Sequence, residues 1–388
     1  MSLAVVNVGT SHDGSLAATP IPGDALICTG DTISWIGSSG DVHPSEHEVV
    51  VDVAGATLVP GLIDSHVHTT FGDYTPRQQT IGFLESYVHG GTTRVISASE
   101  VHVPGRPTDP VGVKALAIAA ARCFATWRPG GMRVHAGSVI LEPGLTEADF
   151  AELRQQGVWL AKAGFGAFPD ARDYIPMVAT ATRAGITVMC HSGGGSIPGS
   201  KSKIDAELLL DMRPRIAGHI NGGPTALTAE ENRLIVAEGR DIALQLVQAG
   251  NLRSAIDIAE KTLEIGDLHR ILIATDTPTG TGVIPLGMLR SMAELASLGP
   301  MTPEQVVAAA TGNVAATYGL AAGWLAVGAP ADLLVLDAPI GSSAPDAFTA
   351  LAIGDIPAVA CVVAGGELRV SLSRNTPPPN RGVTCKTR

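Results

Sequence analysis

Two histidines separated by one residue, His66 and His68, close the run Pro60-Gly61-Leu62-Ile63-Asp64-Ser65-His66-Val67-His68. Residues two apart in a strand point to the same face, so both imidazoles project together from one strand end. A pair of neutral imidazoles at that spacing can bind one cation such as zinc. A lone histidine in such a place is more often a satisfied polar residue; a His-x-His directly after Pro-Gly is a sharper signal. Four more groups end short apolar runs: Lys162 after Trp159-Leu160-Ala161, His191 after Val188-Met189-Cys190, His219 after Ala217-Gly218, and Asp276 after Ile273-Ala274-Thr275. Taken singly, Lys162 reads as a solvated strand-end lysine and Asp276 as a helix N-cap before Pro278. Six such groups at five strand ends are a different matter, and metal binding is the chemistry they share.

Those groups need a frame that gathers strand ends. Strands are expected at Thr57–Val59 leading to Asp64–His68, and at Thr93–Ser97, Val134–Val139, Val158–Lys162, Thr187–His191, Ile216–His219, Ile242–Leu246 and Ile271–Asp276, most followed by helical stretches. Strands alternating with helices imply a parallel sheet, and eight such units imply closure into a (β/α)8 TIM barrel, whose catalytic groups sit at the C-terminal ends of the strands. Thr228 with Glu231 and Thr302 with Gln305 have capping-box spacing, the latter with Pro303 in the first helical position. Short β runs at Val5–Val8, Ala25–Thr29, Ile33–Ile36 and Val49–Val53 are matched at the far end by Ala331–Asp337 and by a hairpin, Val359–Val363 with Glu367–Val370 around Gly365-Gly366. Residues 1–56 and 323–388 are therefore expected to form a composite small β-sandwich domain beside a barrel at 57–322. The run Pro377–Pro379 reads as a tail with little fixed structure.

The 388 residues are 45% hydrophobic and 16% charged, enough for a large core. Net charge is −11 without a Lys/Arg cluster, which argues against nucleic acid as a partner. Cys28, Cys123, Cys190, Cys361 and Cys385 are scattered without a CxxC, so neither a disulfide framework nor a thiolate zinc site is expected. Cys190, next to His191, should point away from the site. No apolar run approaches the roughly 18 residues of a membrane span, and the first residues lack a signal-peptide pattern; a soluble, cytoplasmic protein is expected.

The set His66, His68, Lys162, His191, His219 and Asp276 resembles the ligand pattern of the amidohydrolase superfamily, of which dihydroorotases and hydantoinases are members. The segment Gly328-Ala329-Pro330-Ala331-Asp332-Leu333 is similar to the re-entry of such chains into their small β domain. Loops extend the likeness: Gly72–Gln78, Pro104-Gly105-Arg106-Pro107, His191–Ser200, His219–Thr225, Gly280–Gly287 and Ser373–Pro378 resemble the enamidases of nicotinate fermentation, which open the ring of a tetrahydro-oxonicotinate, a cyclic enamide. One position departs: enamidases carry a glutamate where Lys162 stands here. A lysine fills that place only as an N6-carboxylated side chain, since a protonated amine between two cations is strongly disfavoured.

The resemblance implies two divalent metal ions, zinc or an iron–zinc pair, with His66, His68 and Asp276 on one, His191 and His219 on the other, and carboxylated Lys162 bridging them. Two cations about 3.5–4 Å apart lower the pKa of a bridging water and polarise a carbonyl. Asp276 then takes the proton of the attacking hydroxide and returns it to the leaving nitrogen. The implied activity is hydrolysis of a small-molecule cyclic amide, and the implied assembly is a homo-oligomer, a tetramer by resemblance. An imidase, hydantoinase-like enzyme, lactonase or carbamate hydrolase would use the same site, and a non-enzymatic scaffold is the remaining alternative. Tyr74 and Arg77 follow the first strand on the catalytic side, where Arg77 could pair with a substrate carboxylate. Arg106 and His135 are weaker substrate-binding candidates, and His102 reads as a surface loop residue. The glycine runs at 193–195 and 222–223 would let substrate approach the backbone closely.

Overall fold

The computed structural model describes residues 1–69, 80–100, 106–195, 200, 202–223, 226–278 and 282–387. A ring of parallel strands is its centre: Leu62–Val67, Thr92–Ser97, Arg133–His135 continued by Ser138–Ile140, Leu160–Ala163, Thr187–His191, Ile216–Gly218, Ala243–Val247 and Ile271–Ala274. The third strand is broken at Ala136-Gly137. Its first half pairs with the second strand and its second half with the fourth. The ring closes between eighth and first strands: the Asp276 N–H donates to the His66 carbonyl at 2.9 Å, and the His68 N–H to the Thr277 carbonyl at 2.8 Å. Val67 and Thr277 form a parallel bridge there.

Alternation along each strand builds three layers. Val95, Val134, Ala161, Val188, Ala217, Leu244 and Ile273 face outward into the core shared with the surrounding helices. Ile63, Ile96, Leu160, Met189, Ile216 and Leu272 face inward and fill the N-terminal half of the ring, closed from below by the helix Gly312–Tyr318 through Val314, Ala315 and Tyr318. Two residues further along the strands the inward positions turn polar, with Lys162 after Leu160, His191 after Met189 and Gln245 after Ala243. An apolar plug thus carries a polar floor.

Both chain ends build the second body, two facing five-stranded sheets. One has the order Thr384–Thr387, Val49–Asp52, Ser2–Val6, Ala25–Thr29, Thr32–Gly37; the other, Glu367–Val370, Ala358–Ala364, Leu333–Asp337, Thr57–Pro60, Thr10–Ser11. Leu3, Val5, Leu26, Val51, Leu58, Val335 and Cys361 fill the space between them. Two expectations need correction. Thr57–Pro60 is a strand of this sandwich, not the lead-in of the first barrel strand. The chain changes partners at Gly61, whose N–H goes to Asp332 while that of Leu62 goes to Gly91; a Cβ at Gly61 would lie 2.3 Å from Thr93 Oγ1, so only glycine fits the switch. The proline run is also no loose tail: the Pro378 carbonyl accepts from Ile340 at 2.9 Å, Arg381 pairs with buried Asp337, and Thr384–Thr387 completes a sheet.

The expected capping boxes at Thr228/Glu231 and Thr302/Gln305 are present, and a third at Thr146/Asp149 uses aspartate in place of the glutamate or glutamine of the usual pattern. None of the described helices is long and apolar enough to cross a membrane.

Candidate metal centre

The six groups singled out from the sequence lie together on the polar floor of the ring. His66 Nε2 is 3.2 Å and His68 Nε2 3.4 Å from the same oxygen, Oδ1 of Asp276. These three residues offer ligand atoms that all lie within 4.8 Å of one another. Lys162 Nζ approaches His66 Nε2 to 3.4 Å. The His219 ring lies 5.4 Å from that of His66 and 4.4 Å from that of His191, so the second pair adjoins the first. The barrel explains the meeting, because it brings strand ends far apart in sequence to one rim.

Both ring nitrogens of His191 are buried and lack a hydrogen-bond partner among the described residues. Burying such groups unpaired is costly, and a cation would satisfy one of them. The donor set is that of a divalent metal site, imidazole nitrogens with carboxylate oxygen. Electrostatics agree. Burial, then the positive neighbours, holds His66 and His191 well below the usual imidazole range and His219 at about 4, so all three are neutral donors. Burial opposes the charge on Asp276, but His66 and the other histidines outweigh it and keep the carboxyl well below the ordinary range. Burial also pulls the Lys162 amine down to about 8.

Surrounding structure fixes this floor. His219 and Asp276 adopt φ of +39° and +60°, a left-handed backbone that costs a non-glycine residue about 1–3 kcal/mol and aims each side chain off its strand end into the ring. Asp64, buried beneath the first strand, accepts from the Thr275 N–H at 3.0 Å and holds the segment entering Asp276; burial raises its carboxyl to about 7. Gly194 takes φ +95°, and a Cβ there would sit 2.6 Å from His191 Nε2. The glycine run thus leaves room at the histidine. Gln245 was not singled out from the sequence, yet its side chain bonds to both Ser65 and His66. Its signal was a single amide inside the apolar run Ala243-Leu244-Gln245-Leu246-Val247.

The weaker candidates divide. Tyr74 and Arg77 lie outside the described residues, as does His102. Arg106 stands at the rim, but its guanidinium is already bound: it pairs with Glu142, which is fully buried, and donates to the Phe165 carbonyl. The Phe165 ring lies edge-on to His191 at 4.6 Å, so Arg106 braces the metal centre from behind. His135 is corrected. It sits in the first half of the third strand, against Trp159 at 5.8 Å, below the polar floor and near Arg94, Arg128 and Arg133, and burial lowers it to about 3. Its place early in a broken strand, not at a strand end, keeps it from the rim. Cys190 faces outward into the core between barrel and helices, as alternation requires.

Comparison with known proteins agrees with this geometry. Residues 57–368 match the Amidohydrolase family. Enamidase of Eubacterium barkeri is 43% identical over 385 residues, covering 99% of either chain. Imidazolonepropionase of Mycolicibacterium smegmatis is 25% identical over 405 residues, 95% of this chain and 97% of the relative. Among solved structures, an enamidase superposes with a TM-score of 0.93 at 42% identity over the whole of both chains. The D-hydantoinase of a Thermus species shares the fold, with a TM-score of 0.66 at 17% identity over 96% of each. With the His-x-His of the first strand, the histidines and lysine of the middle strands and the aspartate of the eighth on one rim, this chain belongs to the amidohydrolase family.

Proposed function

We propose that this protein hydrolyses a C–N bond within a small cyclic amide, on a pair of divalent cations held by His66, His68 and Asp276 on one side and His191 and His219 on the other. The observation that carries the metal centre is the convergence of these buried donors, with His191 unpaired in their midst. The substrate class rests on end-to-end likeness to enamidase. Bound there, two cations would supply a water of lowered pKa and a Lewis acid for the carbonyl. Lys162 is 1% exposed, its amine 3.4 Å from His66 Nε2, and it has no carboxylate in hydrogen-bond range among the described residues. A buried amine in that place is suited to capture CO2 as a carbamate, which supplies the anion the position calls for.

The chain's own groups do the rest. Asp276 is ionised and, at 16% exposed, is more open than His66 and His68, at 1% and 5%. Its carboxylate takes a proton from the attacking water and delivers it to the ring nitrogen as the C–N bond breaks.

The test pairs elemental analysis of purified protein with a ring-opening panel of lactams, imides, hydantoins, lactones and carbamates that includes tetrahydro-oxonicotinate. The expected result is about two metal ions per chain and opening of the cyclic enamide. Two metals with another substrate opened would move the activity within the family. No tightly bound metal after growth with zinc and iron would overturn the proposal.

A further inference from the structure

The four histidines of the centre are not held alike. For His191, no hydrogen-bond partner stands behind the ring among the described residues. His66 is gripped from across the barrel by Gln245, which is fully buried in the seventh strand. The orientation of that amide is fixed by chemistry. One of its terminal atoms lies 3.1 Å from the Ser65 carbonyl oxygen and 2.8 Å from Ser65 Oγ. A carbonyl oxygen only accepts, so this atom is the NH2 nitrogen. The amide oxygen therefore faces His66 Nδ1, at 2.5 Å. An amide oxygen likewise only accepts, so Nδ1 carries a hydrogen. A neutral imidazole has one, which leaves Nε2 bare, and Nε2 is the atom turned toward Asp276 and Lys162.

We propose that Gln245 is a positioning residue that locks His66 in the Nδ1–H tautomer and thereby presents Nε2 to the metal. The inference rests on the metal-centre reading above. Glutamine suits the task because both ends of its amide are used: the NH2 spends its hydrogens on Ser65 and the oxygen holds the ring, so nothing polar is stranded in a fully buried place. Ser65 and His66 are neighbours in one strand, so the amide also fixes where that strand sits when the ring is placed.

Two substitutions separate positioning from packing, because the two roles rank them oppositely. Gln245→Leu keeps the volume and removes the acceptor. Gln245→Glu keeps the acceptor and introduces a buried charge. If Gln245 merely fills space, leucine is tolerated and glutamate is the damaging change. If it positions His66, leucine weakens zinc binding about 10- to 100-fold, while glutamate, which keeps the acceptor for Nδ1 and loses only the donor to Ser65, weakens it less than leucine does. The readout is zinc affinity by competition with a chromophoric chelator, with the fold of each metal-free variant checked by circular dichroism. A wild-type chain that binds no zinc refutes the metal centre itself. A wild-type chain that binds zinc, with a leucine variant that binds it equally well, refutes the positioning role alone. Should the leucine variant not fold, ¹⁵N NMR of the zinc-loaded wild type decides. Protonated Nδ1 with coordinated Nε2 on His66 is expected, and coordination through Nδ1 would overturn the inference.

Discussion

Arg106→Ala distinguishes two roles for one residue. As a substrate ligand, Arg106 would set KM and leave stability alone. In the structure its guanidinium neutralises Glu142, whose side chain is fully buried and also accepts from the Ala167 N–H at 2.6 Å. Removing the arginine strands a carboxylate among apolar neighbours, and breaking a buried pair from one side costs about 3–5 kcal/mol. Unfolding a chain of 388 residues carries an entropy of about 0.8 kcal/mol/K, so the melting temperature should fall by roughly 4–6 °C. The loss of the bond to Phe165, whose ring braces His191, adds a second signature: weaker metal retention. Differential scanning calorimetry of the metal-free protein measures the first, chelator competition the second. Glu142→Gln in the Arg106→Ala background should recover part of the lost stability, because the stranded charge is gone. An Arg106→Ala protein that melts like wild type and differs only in KM would refute this account and restore the substrate role.

Asp276→Ala should lower turnover by about 10²–10⁴-fold or more while the circular dichroism spectrum is kept, since the residue moves the proton; near wild-type rates would remove it from the mechanism. Lys162→Ala should lose metal on dialysis, and wild-type protein reconstituted in CO2-free buffer should load more slowly than with added bicarbonate; full loading of the variant would exclude a bridging lysine. Metal-free protein should lose stability in acid. Unfolded histidine titrates near 6.5, whereas burial holds His219 at about 4 and His191 well below its usual range. Between those values the unfolded chain takes up protons that the folded chain refuses, so stability is full above about pH 6.5 and falls toward pH 4, with His219 alone contributing on the order of 3 kcal/mol. Asp64, raised to about 7 by burial, opposes this slope over the same range, so urea unfolding is compared between wild type and His219→Ala; the same slope in both would mean that His219 is not buried as a neutral group.

Strand ends were legible in the sequence because apolar runs are short and each useful group stands directly after one. His66, His68, Lys162, His191, His219 and Asp276 all have that signature, and the barrel makes their meeting a consequence of topology. Gln245 escaped because it is inside a run, where an amide looks like an interruption. Its partner is 179 residues away in the chain, and only the closed ring reveals it. Arg106 could be placed near the rim but not assigned a partner, since Glu142 follows the third strand and nothing local announces the pair. His135 stands early in the third strand, before the break at Ala136-Gly137, so its side chain lies below the rim, and a histidine near a strand start carries no signal for the site. Thr57–Pro60 is apolar and extended, as either barrel or sandwich would require, and only the change of partners at Gly61 decides between them.

The interleaved sandwich also sets a timetable for synthesis. Each of its two sheets needs strands from both ends of the chain, and Thr384–Thr387 pairs with Val49–Asp52. The strands Ser2–Val6, Ala25–Thr29, Thr32–Gly37 and Val49–Asp52 can pair with one another as they emerge, but until the far segment is made the edge of Val49–Asp52 stays open and the inner apolar faces of Leu3, Val5, Leu26 and Val51 stay uncovered. The barrel can close on its own strands before the last segment emerges. The sandwich cannot, and a nascent chain stalled short of its final strands would present open sheet edges, the kind of surface that chaperones bind and that neighbouring chains pair with.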